Sequence, residues 1–183
     1  QNFPLDIAVE AGLLKKKAQG GYYDLFRDRI IFPIFSHSGE CVGFGGRVIE
    51  QGQPKYLNSP ESVAFSKGRT FYGLYENAKF IRSEDEVIVV EGYMDLLALF
   101  QAGFKNVVAT LGTALTESHA KLIKRYTRNV IVLFDGDSAG QNAAQRSLPI
   151  LLSQGLLPRG LTLPENLDPD EYLQKFGVES LKD

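Results

Sequence analysis

Residues 130–140 read VIVLFDGDSAG, an apolar run that leads directly into two aspartates separated by one glycine. The run Val130–Phe134 has the length and the β-branched composition of a strand that is buried on both faces of a sheet. A second run of this kind, Val87–Val90, leads into the acidic stretch EGYMD at residues 91–95. Because open α/β sheets bind ligands beyond the carboxyl ends of their strands, these two stretches predict both a fold and the location of its site.

From residue 83 onward, apolar runs of strand length alternate with segments of helical periodicity. The predicted strands are Val87–Val90, Asn106–Thr110, Val130–Phe134 and Gly160–Leu163. The first predicted helix is Tyr93–Ala102, which Gly103 ends, and the second is Thr116–Tyr126, which Thr116 caps. A third helix carries the apolar stripe Ala144, Leu148, Leu151 and Leu152, and Pro149 is expected to kink or divide it. The fourth is Asp168–Phe176, with Asp168 as N-cap, Pro169 in the first turn and Glu171 closing a capping box. This alternation indicates an α/β fold in which helices cover both faces of a parallel sheet.

The first part of the chain has the pattern of a mixed α+β unit. A short amphipathic helix is predicted over Leu5–Leu14, closed by the basic run at residues 15–17. The β-branched and aromatic stretches Arg29–Ser36 and Cys41–Ile49 predict a hairpin, and Gln51–Phe65 has the composition of an irregular loop. We therefore expect two domains, a smaller α+β subdomain at residues 1–82 and the sheet domain at residues 83–183.

Charge is unevenly distributed along a chain whose net charge is only −2. Residues 1–82 hold 11 Lys or Arg and 8 Asp or Glu, whereas residues 83–183 hold 9 and 14. The basic part suits phosphate contacts and the acidic part suits a cluster of metal-binding carboxylates, although on charge alone ordinary solvated surface is the favoured explanation of both excesses.

Composition excludes several classes of protein. The 183 residues are 44% apolar and 23% charged, as in ordinary globular domains and unlike disordered or fibrous chains. The single cysteine, Cys41, cannot form an internal disulfide, and with His37 and His119 alone it cannot complete a zinc site. No apolar run approaches the roughly 20 residues of a membrane span. No signal peptide is visible, and the missing initiator Met indicates a piece of a longer chain. The cysteine usage leads us to expect a reducing, cytoplasmic setting.

Acidic residues follow three of the predicted strands. They are Glu91 and Asp95, Asp135 and Asp137, and Asp168 and Asp170. Singly, each has a structural explanation, since Asp137 and Asp168 are suited to cap helices. Together they converge, because neighbouring strand ends lie about 5 Å apart and unpaired carboxylates at that spacing repel. Mg²⁺ or Mn²⁺ is the natural partner, and two such ions commonly serve phosphoryl transfer.

Several motifs, in their order along the chain, resemble the Toprim domain of bacterial DNA primases of the DnaG type. They are EGYMD (91–95), VATLGTALT (108–116), VLFDGDSAG (132–140) and DPDEYL (168–173). Upstream, four stretches resemble the basic N-terminal subdomain of primase catalytic cores: YDLFRDRIIFPI (23–34), GFGGRV (43–48), PKYLNSPES (54–62) and FSKGRTFYGLYE (65–76). The resemblance implies a Toprim-type parallel sheet flanked by helices and preceded by that smaller subdomain.

The resemblance also implies DNA-templated synthesis of short RNA primers for replication, by metal-dependent nucleotidyl transfer from ribonucleoside triphosphates. The implied catalytic residues are Glu91, Asp135 and Asp137, with Glu91 acting as general base or as a further ligand. The implied ligands of two or more Mg²⁺ or Mn²⁺ ions are Glu91, Asp95, Asp135, Asp137, Asp168 and Asp170. The positions implied to bind nucleic acid or nucleotide are Arg27, Arg29, Arg47, Lys55, Asn58, Lys67 and Arg69. Tyr56, Phe65 and Tyr72 lie among them, and core packing is favoured over base stacking for these aromatic residues.

The partners implied are a single-stranded DNA template, ribonucleoside triphosphates, an RNA primer–DNA hybrid and a replicative helicase. Family members bind the helicase through a C-terminal domain and hold Zn²⁺ in an N-terminal domain, and neither domain lies in this chain. We expect a monomer that acts in the bacterial cytoplasm at the replication fork, without a membrane partner.

Other functions remain open at this point. A haloacid-dehalogenase-type phosphatase also places Asp-x-Asp after an apolar strand, but it needs Thr or Val where this chain has Ala139, and it leaves EGYMD unexplained. Another Toprim enzyme, a topoisomerase or nuclease, would have no use for the primase-like first part. A non-catalytic DNA-binding Toprim module would have no need for the full set of acids.

Overall fold

A computed structural model describes residues 4–50 and 52–181. The chain divides into two compact units, Gln1–Ser66 and Lys67–Asp183. The sequence suggested a division at residue 82 instead. Helix α2 (Leu74–Glu84) belongs to the second unit because it packs on the parallel sheet, where Asn77 Nδ2 donates to the carbonyl oxygen of Val107 at 2.8 Å.

The first unit is built mainly from antiparallel strands. A short helix, α1 (Leu5–Glu10), precedes the paired strands β1 (Leu14–Lys16) and β2 (Tyr22–Asp24). The expected hairpin is confirmed as β3 (Arg29–Phe35) and β4 (Cys41–Val48), and β5 (Tyr56–Asn58) extends it in the order β3-β4-β5.

Two predictions for the first unit are wrong in part. The helix predicted to reach Leu14 ends at Glu10, because Gly12 turns the chain with a φ of +68°. The basic run therefore begins on a strand rather than at a helix end. The predicted irregular loop 51–65 contains strand β5, which pairs with β4 through Asn58, Leu57 and Tyr56.

The second unit has the predicted parallel sheet. Its strands are β6 (Glu86–Val90), β7 (Val107–Ala109), β8 (Asn129–Leu133) and β9 (Leu157–Leu161), all parallel in the order β7-β6-β8-β9. Its further helices are α3 (Tyr93–Gln101), α4 (Glu117–Ile123), α5 (Ser138–Ser153) and α6 (Pro169–Phe176). The α/β fold class is confirmed.

Apolar side chains cover both faces of this sheet, which explains the continuous apolar runs in the sequence. On one face, Val87 and Val130 pack with residues of α4 and α5. On the other, Ile88 and Val90 pack with residues of α3. The carboxyl edge of the sheet is therefore held from both sides.

Several details of the second unit differ from the prediction; helix α4, for example, ends at Ile123 rather than Tyr126. Strand β9 is Leu157–Leu161 rather than Gly160–Leu163, because Pro158 and Arg159 pair with β8 in spite of their composition. Helix α5 is not divided at Pro149. Pro149 lies on the exposed side of α5, where solvent can satisfy the carbonyl group that loses its N–H partner. Among the helices that the structure describes, none has the length and apolar content to cross a bilayer.

Candidate functional site

Glu91 directly follows β6, and its carboxylate is only partly satisfied. The backbone N–H of Asp135 donates to it, but within the described residues no donor reaches the buried oxygen Oε1. Burial, followed by repulsion from Asp135, raises the pKa of Glu91. Both features show a carboxylate in a site that supplies too little positive charge.

Asp95 lies in the first turn of α3 and is 7% exposed. Its Oδ2 accepts the Gly92 N–H at 3.0 Å, which caps the helix. Burial, and then repulsion from Asp135 and Asp168, raises the pKa of Asp95 to about 7. Its carboxyl group thus caps α3 and also faces the other acids.

Asp135 and Asp137 occupy the tight turn between β8 and α5. Burial raises the pKa of Asp135, and repulsion from Asp168 and Asp137 raises it further. Asp137 Oδ1 accepts the Gly140 N–H at 2.8 Å, so this residue is the N-cap of α5, as its position in the sequence allows. The cap uses only one of its two carboxylate oxygens.

Gly136 fixes this turn against the segment that carries the third pair of acids. Its N–H donates to Leu167 O at 2.9 Å. A Cβ at this position would lie 2.7 Å from the carbonyl oxygen of Leu163, so only glycine allows the two segments to come so close.

Asp168 begins α6, as predicted. Its Oδ1 accepts the Glu171 N–H at 2.7 Å, and Glu171 Oε2 accepts the Asp168 N–H, so the capping box is confirmed. Asp170 Oδ1 accepts from Gln174 Nε2 at 2.9 Å. Both aspartates nevertheless raise the pKa of Asp95, which is consistent with their segment lying near EGYMD.

The three acidic segments therefore converge at one edge of the sheet. As they are placed, no group of three His, Cys, Asp or Glu side chains among residues 4–50 and 52–181 could hold a metal ion alone. The unpartnered Glu91 oxygen and the mutual repulsion nevertheless suit a hard cation. Mg²⁺ is commonly held by one or two carboxylates, and waters and substrate phosphates complete its coordination. The donor set fits such an ion.

The four predicted phosphate-binding cations of the first unit line two depressions that share Val48, Gly52 and Gln53. One, of about 440 Å³, has Arg27 and Arg29 on its walls. The other, of about 460 Å³, has Arg47 and Lys55. Asn58 lies apart from both, beside Lys16 in a third depression.

These side chains are not equally available to a ligand. Arg29 donates to three backbone carbonyl groups, those of Gly46 at 3.2 Å, Lys55 at 3.4 Å and Pro54 at 2.9 Å. Arg29 thus joins β3 to the segment before β5. Arg47 instead has its guanidinium carbon 6.0 Å from the ring of Tyr56, and its buried Nε has no partner within the described residues.

Lys67 and Arg69 fall in the second unit, in a 3₁₀ turn whose Gly68 carbonyl accepts from Thr116 Oγ1 at 2.6 Å. Of the three aromatic residues, Phe65 is buried as favoured, whereas Tyr56 is 37% exposed. The ring of Tyr56 lies 6.0 Å from the guanidinium carbon of Arg47 and 5.8 Å from Lys55 Nζ.

Sequence reasoning missed several residues around these sites. Lys15 lines the Arg27 depression, although the sequence predicts that its basic run closes a helix. Gln53 lines both depressions of the first unit. Gln141 binds the Asp135–Asp137 turn through Gly136 O. The basic run was a usable signal for Lys15, whereas nothing in the sequence singles out Gln53 or Gln141.

Family models match both parts of the chain. The model described as "DNA primase catalytic core, N-terminal domain" matches residues 1–78, and the model described as "Toprim-like" matches residues 88–173. The chain belongs to the DnaG-type bacterial DNA primase catalytic cores. The order of the two matches is the order that the motifs implied.

Curated DNA primases are similar over nearly the whole length of this primase-core chain. The DNA primase of Aquifex aeolicus is 45% identical over 183 residues, which are 100% of this chain and 37% of the relative. The DNA primase of Pseudomonas putida is 49% identical over 178 residues, 95% of this chain and 27% of the relative. The chain thus spans between about a quarter and two fifths of these two relatives.

Solved primase cores share the fold. The zinc-binding and RNA polymerase domains of the Aquifex aeolicus primase match with a TM-score of 0.91 at 46% identity, over 97% of this chain and 44% of that one. The RNA polymerase domain of the Mycobacterium tuberculosis primase matches with a TM-score of 0.86 at 30% identity, over 100% of this chain and 62% of that one. Another matching structure is a DnaG catalytic domain bound to single-stranded DNA, at 44% identity and a TM-score of 0.90 over 97% of this chain and 58% of that one.

Proposed function

We propose that this chain is the catalytic part of a primase that copies single-stranded DNA into short RNA primers. The observation that carries the proposal is the convergence of Glu91, Asp135 and Asp168 at one sheet edge, with Glu91 Oε1 buried and without a donor in the described residues. Curated relatives named DNA primase support it over nearly all of this chain.

In the proposed reaction, the 3′-hydroxyl oxygen of the primer bonds to the α-phosphorus of a ribonucleoside triphosphate. The bond from that phosphorus to the β-phosphate bridge oxygen breaks, and pyrophosphate leaves. Glu91 Oε1 either accepts the hydroxyl proton as a general base or binds a cation as a further ligand.

The remaining acids would hold divalent cations, and enzymes of this family are generally metal-dependent. The proposed ligands are Glu91, Asp95, Asp135, Asp137, Asp168 and Asp170, for two or more Mg²⁺ or Mn²⁺ ions. When bound, such ions favour ionisation of the attacking hydroxyl and stabilise charge on the leaving oxygen. Asp95 and Asp168 also cap α3 and α6, which orients their carboxyl groups before any substrate arrives.

Arg27, Arg47, Lys55, Asn58, Lys67 and Arg69 are proposed to hold template, hybrid or nucleotide phosphates. Arg and Lys contacts to phosphates carry no sequence information, which suits an enzyme that copies varied templates. For Arg29, the three carbonyl bonds support a positioning role for the Lys55 segment rather than a main phosphate contact. We also propose that the whole protein acts at the replication fork and binds a helicase through another part of its chain.

The test is incorporation of labelled ribonucleotides on a single-stranded DNA template with Mg²⁺, by the whole natural chain that carries these residues. Product is expected with wild type and not with Glu91→Gln. Glu117→Gln is the matched control, because Glu117 is an exposed acid of α4 that pairs with Lys121 on the same helix. Absence of wild-type product would overturn the proposal.

Further assays on the same protein preparation distinguish primer synthesis from the other candidate functions. Phosphate release from a small ester would favour the phosphatase, strand cleavage would favour a topoisomerase or nuclease, and DNA binding with no chemistry would favour a binding module.

A further inference from the structure

Gln141 lies in the first turn of α5 and binds the turn that carries Asp135 and Asp137. Its Nε2 donates to the carbonyl oxygen of Gly136 at 2.6 Å. The N–H of the same Gly136 donates to Leu167 O at 2.9 Å, one residue before Asp168. Two hydrogen bonds through one glycine therefore link α5, the Asp135–Asp137 turn and the segment that leads into Asp168.

The segment before Asp168 depends on contacts from outside itself. Glu165 and Asn166 both have positive φ, 58° and 57°, a conformation that residues other than glycine rarely adopt. Its outside contacts include an ion pair between Lys175 and Glu165 and the hydrogen bond from Gly136 to Leu167. A shift of Gly136 therefore passes directly to the residue that precedes Asp168.

The start of α5 does not need the Gln141 side chain. Asp137 Oδ1 already caps the helix by accepting the Gly140 N–H at 2.8 Å, and the backbone N–H of Gln141 donates to Asp137 O at 3.0 Å. Gln141 is exposed, so no core packing depends on it. What its side chain adds is a second fixed point on Gly136.

We propose that Gln141 is a positioning residue for the acidic site. By holding Gly136, it fixes the separation between the Asp135–Asp137 turn and Asp168, and so the fit of these carboxylates around a divalent cation. The effect of Gln141 on catalysis rests on the proposed function. Its effect on the binding of a divalent cation does not. Groups that orient the ligands of a metal commonly affect metal affinity strongly.

The test compares Gln141→Leu with wild type in the whole natural chain, using Mn²⁺ alone as the probe and electron paramagnetic resonance to count free ions. Loss of one positioning hydrogen bond is expected to weaken Mn²⁺ binding by about three- to tenfold. In primer synthesis, the Mg²⁺ concentration at half-maximal rate is expected to rise more than the saturated rate falls. The melting temperature is expected to stay near that of wild type.

A restored donor provides the decisive comparison. Gln141→Lys carries an N–H donor of sufficient reach and is expected to recover most of the Mn²⁺ affinity lost in Gln141→Leu. Gln145→Lys and Gln145→Leu are the matched controls, because Gln145 is an exposed glutamine one turn further along the same helix. They impose the same changes of charge and shape away from Gly136.

Wild-type Mn²⁺ affinity in Gln141→Leu would overturn the inference. So would an equal effect of the Gln145 variants, or a Gln141→Lys variant as weak as Gln141→Leu. If wild type binds Mn²⁺ but makes no primers, the proposed function fails, whereas the positioning role is still decided by the Mn²⁺ affinities.

Discussion

Glu91 and Asp135 are held at strand ends where burial disfavours their charge. Burial is the main cause that raises the pKa of each, and repulsion between the acids is the next. A carboxyl group whose pKa is raised on folding destabilises the folded state once it is ionised. These acids therefore lower stability in the absence of a cation, which is expected of residues retained for chemistry rather than for folding.

Replacing Glu91 with Gln or Asp135 with Asn separates the effect of these acids on primer synthesis from their effect on stability. Primer synthesis is expected to fall at least about a hundredfold, because an acid that moves a proton or holds a cation is lost. The free energy of unfolding in a chelator is expected to be unchanged or higher, because an unfavourable charge is removed. Rate assays and urea unfolding at neutral pH measure the two quantities. Full activity in either variant would contradict the assigned roles.

Arg29 and Lys55 are expected to behave in opposite ways. Arg29→Lys removes a planar fork that binds three carbonyl groups, so the first unit is expected to lose about 1–2 kcal/mol of stability. Lys55→Ala is expected to leave stability unchanged, weaken binding of single-stranded DNA and reduce the slope of log affinity against log salt by about one. Exposed Lys17→Ala is the control. An unchanged slope in Lys55→Ala would refute its phosphate contact.

Among the helices and strands, those with strong local signals could be predicted from sequence. The β6 and β8 runs, the capping box at Asp168 and the N-cap at Thr116 all correspond to the structure, because each depends on neighbouring residues. The wrong or shifted boundaries depend on distant partners: β5 is a strand because β4 pairs with it.

In the acidic site, too, features that depend on neighbouring residues can be predicted and features that depend on distant partners cannot. Its acids are visible because they follow strand signals directly. The hydrogen bond from Gln141 to Gly136 and the contact of Gly136 with Leu167 are not visible, because the segments that meet there are set by tertiary packing.

Gly136→Ala tests the close approach of the Asp135–Asp137 turn to the loop before α6. The added methyl group would lie 2.7 Å from Leu163 O and 3.0 Å from Leu167 O, both backbone atoms. A loss of about 1–3 kcal/mol in stability and a large loss of primer synthesis are expected. Gly160→Ala is the matched control, because its nearest contact would be an ordinary 3.8 Å to Leu148 Cδ1. Equal effects of the two substitutions would contradict the proposed crowding.

His119 ties α4 to the segment that precedes α2. Its Nδ1 accepts the Thr116 N–H at 3.3 Å, and its Nε2 lies 3.1 Å from Thr70 O. Burial is the main cause that lowers its pKa. The unfolded chain therefore binds a proton at this histidine more readily than the folded chain does. The contribution of neutral His119 to the free energy of unfolding is complete above a pH of about 6.5 and is lost as the pH falls through the lower folded pKa.

His119→Gln is therefore expected to cost about 1–3 kcal/mol at a pH near 7.5, because buried partners are left unsatisfied. The difference in unfolding free energy between wild type and variant is expected to shrink toward a pH of about 5.5. Urea unfolding at the two pH values measures it. Exposed His37→Gln is expected to change stability little at either pH. A difference that grows on acidification would show that His119 is not buried in its neutral form.

On the scale of the whole molecule, the two compact units change the meaning of the charge pattern. Residues 1–66 hold 7 Lys or Arg and 7 Asp or Glu, so the first unit is neutral. The basic excess of residues 1–82 comes from the segment 67–82, which packs with the sheet. Net charge therefore gives no support for nucleic-acid binding by the first unit, and the proposal depends on particular side chains such as Arg47 and Lys55.

The most direct measurement is anomalous diffraction from crystals of the protein soaked in Mn²⁺. Convergent acids without a salt-bridge partner among the described residues predict a strong peak beside Asp135 and Asp168, within ligand distance of Glu91 or a water bound to it. The peak is expected to disappear in Asp135→Asn. No Mn²⁺ at this edge of the sheet, with the same acids turned toward solvent in different directions, would contradict the account.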